Sequence, residues 1–151
     1  MVNPSLFDPR QRAQFLERIA VLRPDSQRRW GRMDVAQMLA HCQAPLRVAL
    51  GDLKLKRGLM GFLFGKMAKK KLLDPKPWKP GLPTAPEFLV KDRREFATER
   101  ETLVELVRRF GDGGPSALTV DPHPLFGPLT AQEWDALQGR HLDHHLHQFG
   151  A

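Results

Sequence analysis

Apolar residues recur at three- and four-residue spacing in four separate stretches of this 151-residue chain, and no segment shows the strict alternation of a half-buried strand. This periodicity predicts an all-α fold. The inward-facing residues of the four helices are Phe15, Leu16, Ile19 and Leu22; Val35, Met38, Leu39, Cys42, Leu46 and Ala49; Phe96, Leu103, Leu106, Val107 and Phe110; and Trp134, Leu137, His141, His145 and Gln148.

Two capping boxes mark helix starts. Asp34 precedes the second stripe with Gln37 three residues later, and Thr130 stands in the same relation to Glu133 before the fourth. Pro45 lies inside the second helix, where it removes one backbone hydrogen bond, so we expect a bend there.

Prolines and glycines set the other boundaries. The first helix opens after Pro9 and ends before Pro24. The third is expected from about Lys91 to Phe110, where the glycine-rich run 111–114 stops it.

A long crossover separates the second and third of these helices. Within it, residues 58–73 can form a further short helix, whereas residues 74–86 contain five prolines and are expected to be irregular. We therefore expect a single domain, residues 1–151, folded as a four-helix bundle with one long crossover.

The net charge of +7 belongs to the crossover alone. Residues 51–80 contain nine lysines and arginines against two aspartates, which accounts for the whole excess. Because the remainder is balanced, the high isoelectric point does not indicate a nucleic-acid-binding protein. Most of these lysines are expected to be solvated.

Composition excludes several other classes. The single cysteine, Cys42, rules out a disulfide framework and a cysteine-rich zinc finger. The longest uncharged apolar run, 58–65, is far shorter than a transmembrane helix. Charged residues follow Phe7 without an apolar segment of the secretory type, so we expect a cytoplasmic protein.

The histidines form the most informative pattern. His141 and His145 are one helical turn apart on the inward face of the fourth helix, the spacing at which two imidazoles reach one ion. His41 lies on the inward side of the second helix and is the natural third ligand. His144 falls on the margin of the stripe, and His147 is expected to be solvated. Such a pair also arises by chance, but three buried imidazoles need partners, which one metal ion supplies.

Other residues have simpler interpretations. Cys42 is an ordinary buried cysteine or, as an alternative, a thiolate ligand or nucleophile. His123, between two prolines, is expected in a loop, and Trp30 and Trp134 are expected in the core. No glutamate follows His141, which excludes the His-Glu-x-x-His metalloprotease motif.

Two segments resemble an uncharacterised branch of the DinB-like superfamily. The first combines residues 30–33 with residues 37–42 at the start of the second helix. The second is the signature HPLFGPL at 123–129, then Trp134, then HLDHHLHQFG at 141–150. The Pro-rich segment 83–87 also falls where that branch has it, so the resemblance covers nearly the whole chain.

The resemblance implies a four-helix bundle that holds a divalent metal, often nickel or zinc, on His41, His141 and His145. Characterised relatives include thiol-dependent S-transferases and a maleylpyruvate isomerase, which use low-molecular-weight thiols such as bacillithiol or mycothiol. It also implies a homodimer as a family-level expectation.

Three functions compete. The first is a metal-dependent enzyme of the S-transferase or hydrolase type, in which the ion activates a thiol or a bound water and the basic crossover attracts an anionic small molecule. The second is a binding protein whose basic amphipathic segment, about 54–73, contacts a membrane surface or a partner. Its apolar face comprises Leu59, Met60, Leu63, Phe64 and Met67, which as an alternative packs on the bundle as a lid. The third is a scaffold without chemistry.

Overall fold

The computed structural model describes residues 3–81 and 84–151, leaving out the side chains of residues 59–62 and 64. Within these residues the chain forms five α-helices and no strand. The helices are α1 (Pro9–Ala20), α2 (Val35–Ala49), α3 (Leu59–Leu72), α4 (Phe96–Gly113) and α5 (Ala131–Gln148), with short 3₁₀ helices at Pro86–Phe88 and Gly114–Ala117. The predicted all-α class is confirmed.

Four of the helices enclose the core. Helix α2 packs against α4 and α5, and α1 packs against the same two helices, which closes a bundle around buried apolar side chains. Every one of the four contributes fully buried residues, among them Ile19, Met38, Leu39, Leu103, Phe110 and Leu146. The crossover between α2 and α4 contains α3, as the sequence predicts. The predictions that residues 74–86 are irregular and that 83–87 form the Pro-rich segment include Leu82 and Pro83, which lie outside the described residues.

Both capping boxes form. Asp34 accepts a hydrogen bond from the Gln37 backbone amide at 2.8 Å, and the Gln37 side chain accepts one from the Asp34 amide at 2.9 Å. Thr130 and Glu133 exchange the equivalent bonds at 3.2 and 2.8 Å. Helix α2 continues through Pro45. These reciprocal bonds fix where the two histidine-bearing helices begin.

The start of α4 differs from the expected position near Lys91. The helix begins at Phe96 because the Glu95 side chain accepts hydrogen bonds from the amides of Ala97 and Thr98, at 3.2 and 2.7 Å. A carboxylate at this end of a helix is favoured by the helix dipole. Glutamate is not among the preferred N-cap residues, so the pattern did not identify it.

The end of α4 also differs, because the helix passes Phe110 and continues to Gly113. Gly111 brings the helix against the N-terminal segment, since a Cβ there would lie 2.6 Å from the Leu6 carbonyl oxygen. The helix stops where Gly114 adopts a positive φ of 58°. Gly111 therefore serves packing, and Gly114 serves termination.

Helix α3 is fixed against the loop that precedes α5. A Cβ on Gly65 would lie 2.6 Å from the Leu125 carbonyl oxygen, so the helix approaches this loop closely. The Lys69 ammonium lies 2.8 Å from a Glu133 carboxylate oxygen and donates a hydrogen bond to the Pro128 carbonyl at 3.0 Å. Lys69 is thus an exception to the expectation that the crossover lysines are solvated.

Two residues of the apolar face predicted for α3 do not pack on the bundle as a lid. Leu63 is 60% exposed and Met67 is 71% exposed. The lid interpretation is therefore wrong for these two residues, and the side chains of Leu59, Met60 and Phe64 lie outside the described residues. None of the described helices combines the length and the apolar character needed to cross a bilayer.

Candidate metal centre

The bundle brings together the three histidines that the sequence selects. Helix α2 supplies His41, and α5 supplies His141 and His145 one turn apart. The Nε2 atom of His41 lies 3.1 Å from the Nε2 atom of each of the other two. One nitrogen from each ring lies within 4.8 Å of the others, and no further residue of the described chain joins this group.

The spacing matches the ligand geometry of one small ion. Two nitrogens that each lie about 2.0–2.1 Å from a tetrahedral zinc ion are about 3.4 Å apart. The observed 3.1 Å between the His41 and His145 nitrogens is close to that value, as is the 3.1 Å between His41 and His141. An adjustment of a few tenths of an ångström would accommodate the ion.

Hydrogen bonds fix which nitrogen of two rings carries the proton. Nδ1 of His41 lies 2.7 Å from the backbone carbonyl of Phe88. Nδ1 of His145 lies 2.8 Å from Oε1 of Gln148, whose own amide nitrogen donates to the Trp30 carbonyl at 2.8 Å. Because both oxygens only accept, both Nδ1 atoms are donors, and in the neutral rings the two Nε2 atoms carry bare lone pairs.

These two lone pairs face each other, and this arrangement shows whether the residues suit a metal ion. Bare nitrogens of His41 and His145 at 3.1 Å repel each other unless a cation or a shared proton lies between them. An Nδ1–H bound to a carbonyl oxygen is also the usual outer support of a metal-bound histidine. A set of three neutral imidazoles suits zinc, nickel or a related ion. The residues present fit a divalent metal.

Burial keeps the three rings in the form that binds metal. It lowers the pKa of His145 to about 3, with a further contribution from the neighbouring His41. It also lowers the pKa of His41, against the opposing effect of the bond to Phe88, and holds that of His141 well below its ordinary value. All three are therefore neutral near pH 7, so a metal ion displaces few protons on binding.

Cys42 does not join the site, although it follows His41 in sequence. Its sulfur is buried against the sulfur of Met38, 3.7 Å away. Burial raises the pKa of the thiol well above the physiological range. The interpretation as an ordinary buried cysteine is confirmed, since a thiolate is disfavoured there.

Aromatic side chains flank the cluster. The ring of His144, half-buried as expected, lies 5.4 Å from the Trp30 ring and 6.0 Å from the Trp78 ring. Trp78 belongs to the crossover and also lies 6.3 Å from His141. Trp134 is buried in the core as predicted, but Trp30 is only half-buried beside the histidines. The expectation that Trp30 is a core residue is wrong.

The remaining histidines lie outside the cluster. His147 is exposed as predicted, and its Nδ1 lies 3.2 Å from an Asp143 carboxylate oxygen. His123 lies in a loop as predicted but is buried, with Nδ1 accepting hydrogen bonds from the amides of Leu125 and Phe126 at 3.0 and 3.2 Å. Burial lowers its pKa to about 4. His123 therefore organises the loop that leads into α5.

Sequence reasoning missed the residues that support the ligands. Gln148 was placed on the inward face but given no role, although it connects His145 to the Trp30 carbonyl. Gly31, at φ 82°, permits this contact, since a Cβ there would lie 2.6 Å from the Gln148 amide nitrogen. The three-residue spacing from His145 to Gln148 was the available signal. The Phe88 carbonyl has no sequence signal.

Comparison with known families supports the resemblance. The profile of DUF1569, described as a protein of unknown function, matches residues 9–151, which include all three clustered histidines. The chain belongs to the DUF1569 family. DUF1569 is part of the DinB-like superfamily, so the resemblance is confirmed at that level. No curated protein and no solved structure matches the chain.

Proposed function

We propose that this DUF1569 protein binds one divalent metal ion, zinc or nickel, through His41, His141 and His145 and uses it as an enzyme of the thiol S-transferase or hydrolase type. The observation that carries the proposal is the pair of bare Nε2 atoms of His41 and His145, 3.1 Å apart. A cation between them removes their repulsion and provides a partner for the third ring.

A divalent ion on three neutral nitrogens keeps its full charge and a free coordination position, so it supplies Lewis acidity for a thiol or a water molecule. Burial holds the three rings neutral, and the Phe88 backbone carbonyl and the Gln148 side chain orient His41 and His145. His141 and His145 are partly exposed, which supports access of a small molecule to the cluster beside Trp30 and Trp78.

Charge supports an anionic substrate or thiol. The crossover, which contributes Trp78 and Phe88 to the surroundings of the site, carries the whole positive excess of the chain. A positive surface raises the local concentration of anionic ligands.

We also propose that the chain belongs to the uncharacterised branch that carries the HPLFGPL and HLDHHLHQFG segments. In this proposal the protein is located in the reducing cytoplasm, where low-molecular-weight thiols are abundant, and it does not bind nucleic acid.

A cobalt-substituted protein tests the proposal. Titration with 2-mercaptoethanol should produce a thiolate-to-cobalt charge-transfer band, and the zinc-loaded protein should accelerate S-alkylation by monochlorobimane, in which the thiol sulfur displaces chloride and its proton is released. His145→Gln should lose both effects, whereas His123→Gln, which changes a buried histidine outside the cluster, should keep them. If neither the charge-transfer band nor a zinc-dependent rate is observed, the proposed enzymatic activity is wrong.

A second candidate is a non-catalytic binding protein that contacts a membrane surface or a partner through residues of about 54–73. The exposure of Leu63 and Met67 on α3 favours it. This contact is compatible with a metal centre, because α3 lies against the loop before α5 and supplies none of the three clustered histidines. The superfamily also suggests that the chain forms a homodimer, and sedimentation of the purified protein determines whether it is a dimer.

A further inference from the structure

Helix α3 presents a defined face away from the bundle. Its inner side is fixed by the approach of Gly65 to Leu125 and by the pairing of Lys69 with Glu133. Leu72, on the same inner side, is buried. The opposite side of the helix therefore has one orientation relative to the rest of the protein.

The residues on that opposite side are of two chemical types. With about 100° per residue and Leu63 at zero, Met67 lies near +40° and Lys70 near −20°, while Lys66 and Lys71 lie near −60° and +80°. All five are exposed, and the fractions for Leu63 and Met67 are 60% and 71%. We call these residues the outer α3 face. Two apolar side chains thus project between three lysines.

The charge of this face is of one sign. Helix α3 contains four lysines and no acidic residue, and it lies inside the segment that carries the whole positive excess of the chain. Its preferred partner is therefore an anionic surface, with lysines that extend their ammonium groups around a shallow apolar contact.

We propose that the outer α3 face docks on the surface of an anionic lipid bilayer, with Leu63 and Met67 in the headgroup region and Lys66, Lys70 and Lys71 on the lipid phosphates. The described apolar side chains of this face, Leu63 and Met67, cover far less than the roughly 800 Å² that a stable protein interface takes from each partner. A bilayer surface needs only a shallow insertion combined with charge attraction. The proposal rests on the second candidate function and does not depend on the metal chemistry.

Vesicle flotation tests the proposal with the full chain. The protein should float with vesicles of phosphatidylcholine and phosphatidylglycerol and remain at the bottom with phosphatidylcholine alone. Lys66→Gln, Lys70→Gln and Lys71→Gln together should weaken binding on the order of a hundredfold at low salt. Lys91→Gln, Arg93→Gln and Arg108→Gln remove the same charge from exposed positions elsewhere and should weaken it much less.

The apolar contribution has its own variants. Leu63→Ser with Met67→Ser should weaken binding on the order of tenfold. Val21→Ser with Val120→Ser, at positions 68% and 100% exposed, should leave it unchanged. Circular dichroism melts verify that each variant is folded.

Three results would overturn the proposal. The first is a wild-type protein that does not bind anionic vesicles, which leaves an acidic protein as the occupant of the face. The second is equal loss in the two lysine sets, which indicates non-specific adsorption by net charge. The third is a dimer in sedimentation without lipid that Leu63→Ser with Met67→Ser dissociates, which assigns the face to a second copy of the chain.

Discussion

Nδ1 of His41 donates a hydrogen bond to the backbone carbonyl of Phe88 across 2.7 Å, so the crossover sets the tautomer of a histidine on α2. The turn that supplies this carbonyl is the 3₁₀ helix Pro86–Phe88. A metal ion at Nε2 strengthens the donor at Nδ1 of the same ring. Metal binding and the order of this turn are therefore linked.

The turn should become more protected when metal binds. Amides of residues 86–89 should exchange with solvent about tenfold more slowly in the zinc-loaded protein, because zinc stabilises the conformation in which Phe88 accepts the His41 bond. Hydrogen-exchange mass spectrometry of the peptides that cover this turn measures the change. Peptides from residues 9–16 of α1, a helix that supplies none of the three clustered histidines, provide a reference. Equal exchange with and without zinc would disprove the link.

Gln148 should act as a positioning residue for His145. Gln148→Leu removes the acceptor of the His145 Nδ1 proton, and the affinity for zinc should fall by about 10- to 100-fold. Gln148→Glu keeps an acceptor and should retain most of the affinity. Competition with a chromophoric chelator measures both. If Gln148→Leu binds zinc as tightly as the wild type, the amide has no role in orienting the ligand.

The metal-free protein should lose stability as the pH falls below about 6.5. Burial lowers the pKa of His145 to about 3 and also lowers those of His41 and His141, so these rings stay neutral in the folded state while the unfolded chain takes up protons. Each such histidine lowers the free energy of unfolding by up to about 1.4 kcal/mol for each unit that the pH falls between its pKa in the unfolded chain, about 6.5, and its pKa in the folded protein. The stability of His145→Gln should therefore depend less on pH than that of the wild type.

Urea denaturation with a chelator present, between about pH 7.5 and pH 5, measures this effect. A stability that rises or stays constant on acidification would contradict it. Three histidines with an ordinary pKa would release up to three protons per metal ion bound near pH 6. The folded protein should release fewer, because its rings are already neutral there.

Lys69 should matter for stability in a way that Lys70 does not. Lys69 pairs with Glu133 at 2.8 Å and also bonds the Pro128 carbonyl, with about a quarter of each charged side chain exposed, 26% and 24%. A partly exposed pair contributes up to about 1 kcal/mol, so Lys69→Gln should lower the Tm by about 2–4 °C. Lys70→Gln should leave it unchanged. Thermal melts that show equal effects would refute the anchoring of α3 by Lys69.

The sequence predicted the helices wherever a local rule decides them. The capping boxes at Asp34 and Thr130 and the phase of the apolar stripes depend on contacts three or four residues apart, which can be read along the chain. The same phase argument selected His41, His141 and His145. The ends of α4 were missed because they depend on a glutamate cap and on the close approach of Leu6 to Gly111.

The support of the site was beyond the sequence for a different reason. The Phe88 and Trp30 carbonyls are backbone atoms, so no residue type identifies them. The burial of His123 likewise follows from the way its loop folds back against Trp134, with ring centres 5.3 Å apart. Tertiary contacts of this kind have no periodic signature. The exposure of Leu63 reversed an expectation for the same reason.

The metal content of the untagged protein tests the central claim most directly. After dialysis against zinc or nickel, elemental analysis of the wild type should find one ion per chain. His41→Ala, His141→Ala and His145→Ala should each reduce this to background, while His147→Ala, on the same helix but exposed, and His123→Ala, buried elsewhere, should keep it. Circular dichroism must show that the variants are folded. A wild type without metal, or an equal loss in His147→Ala and His145→Ala, would contradict the three-histidine site.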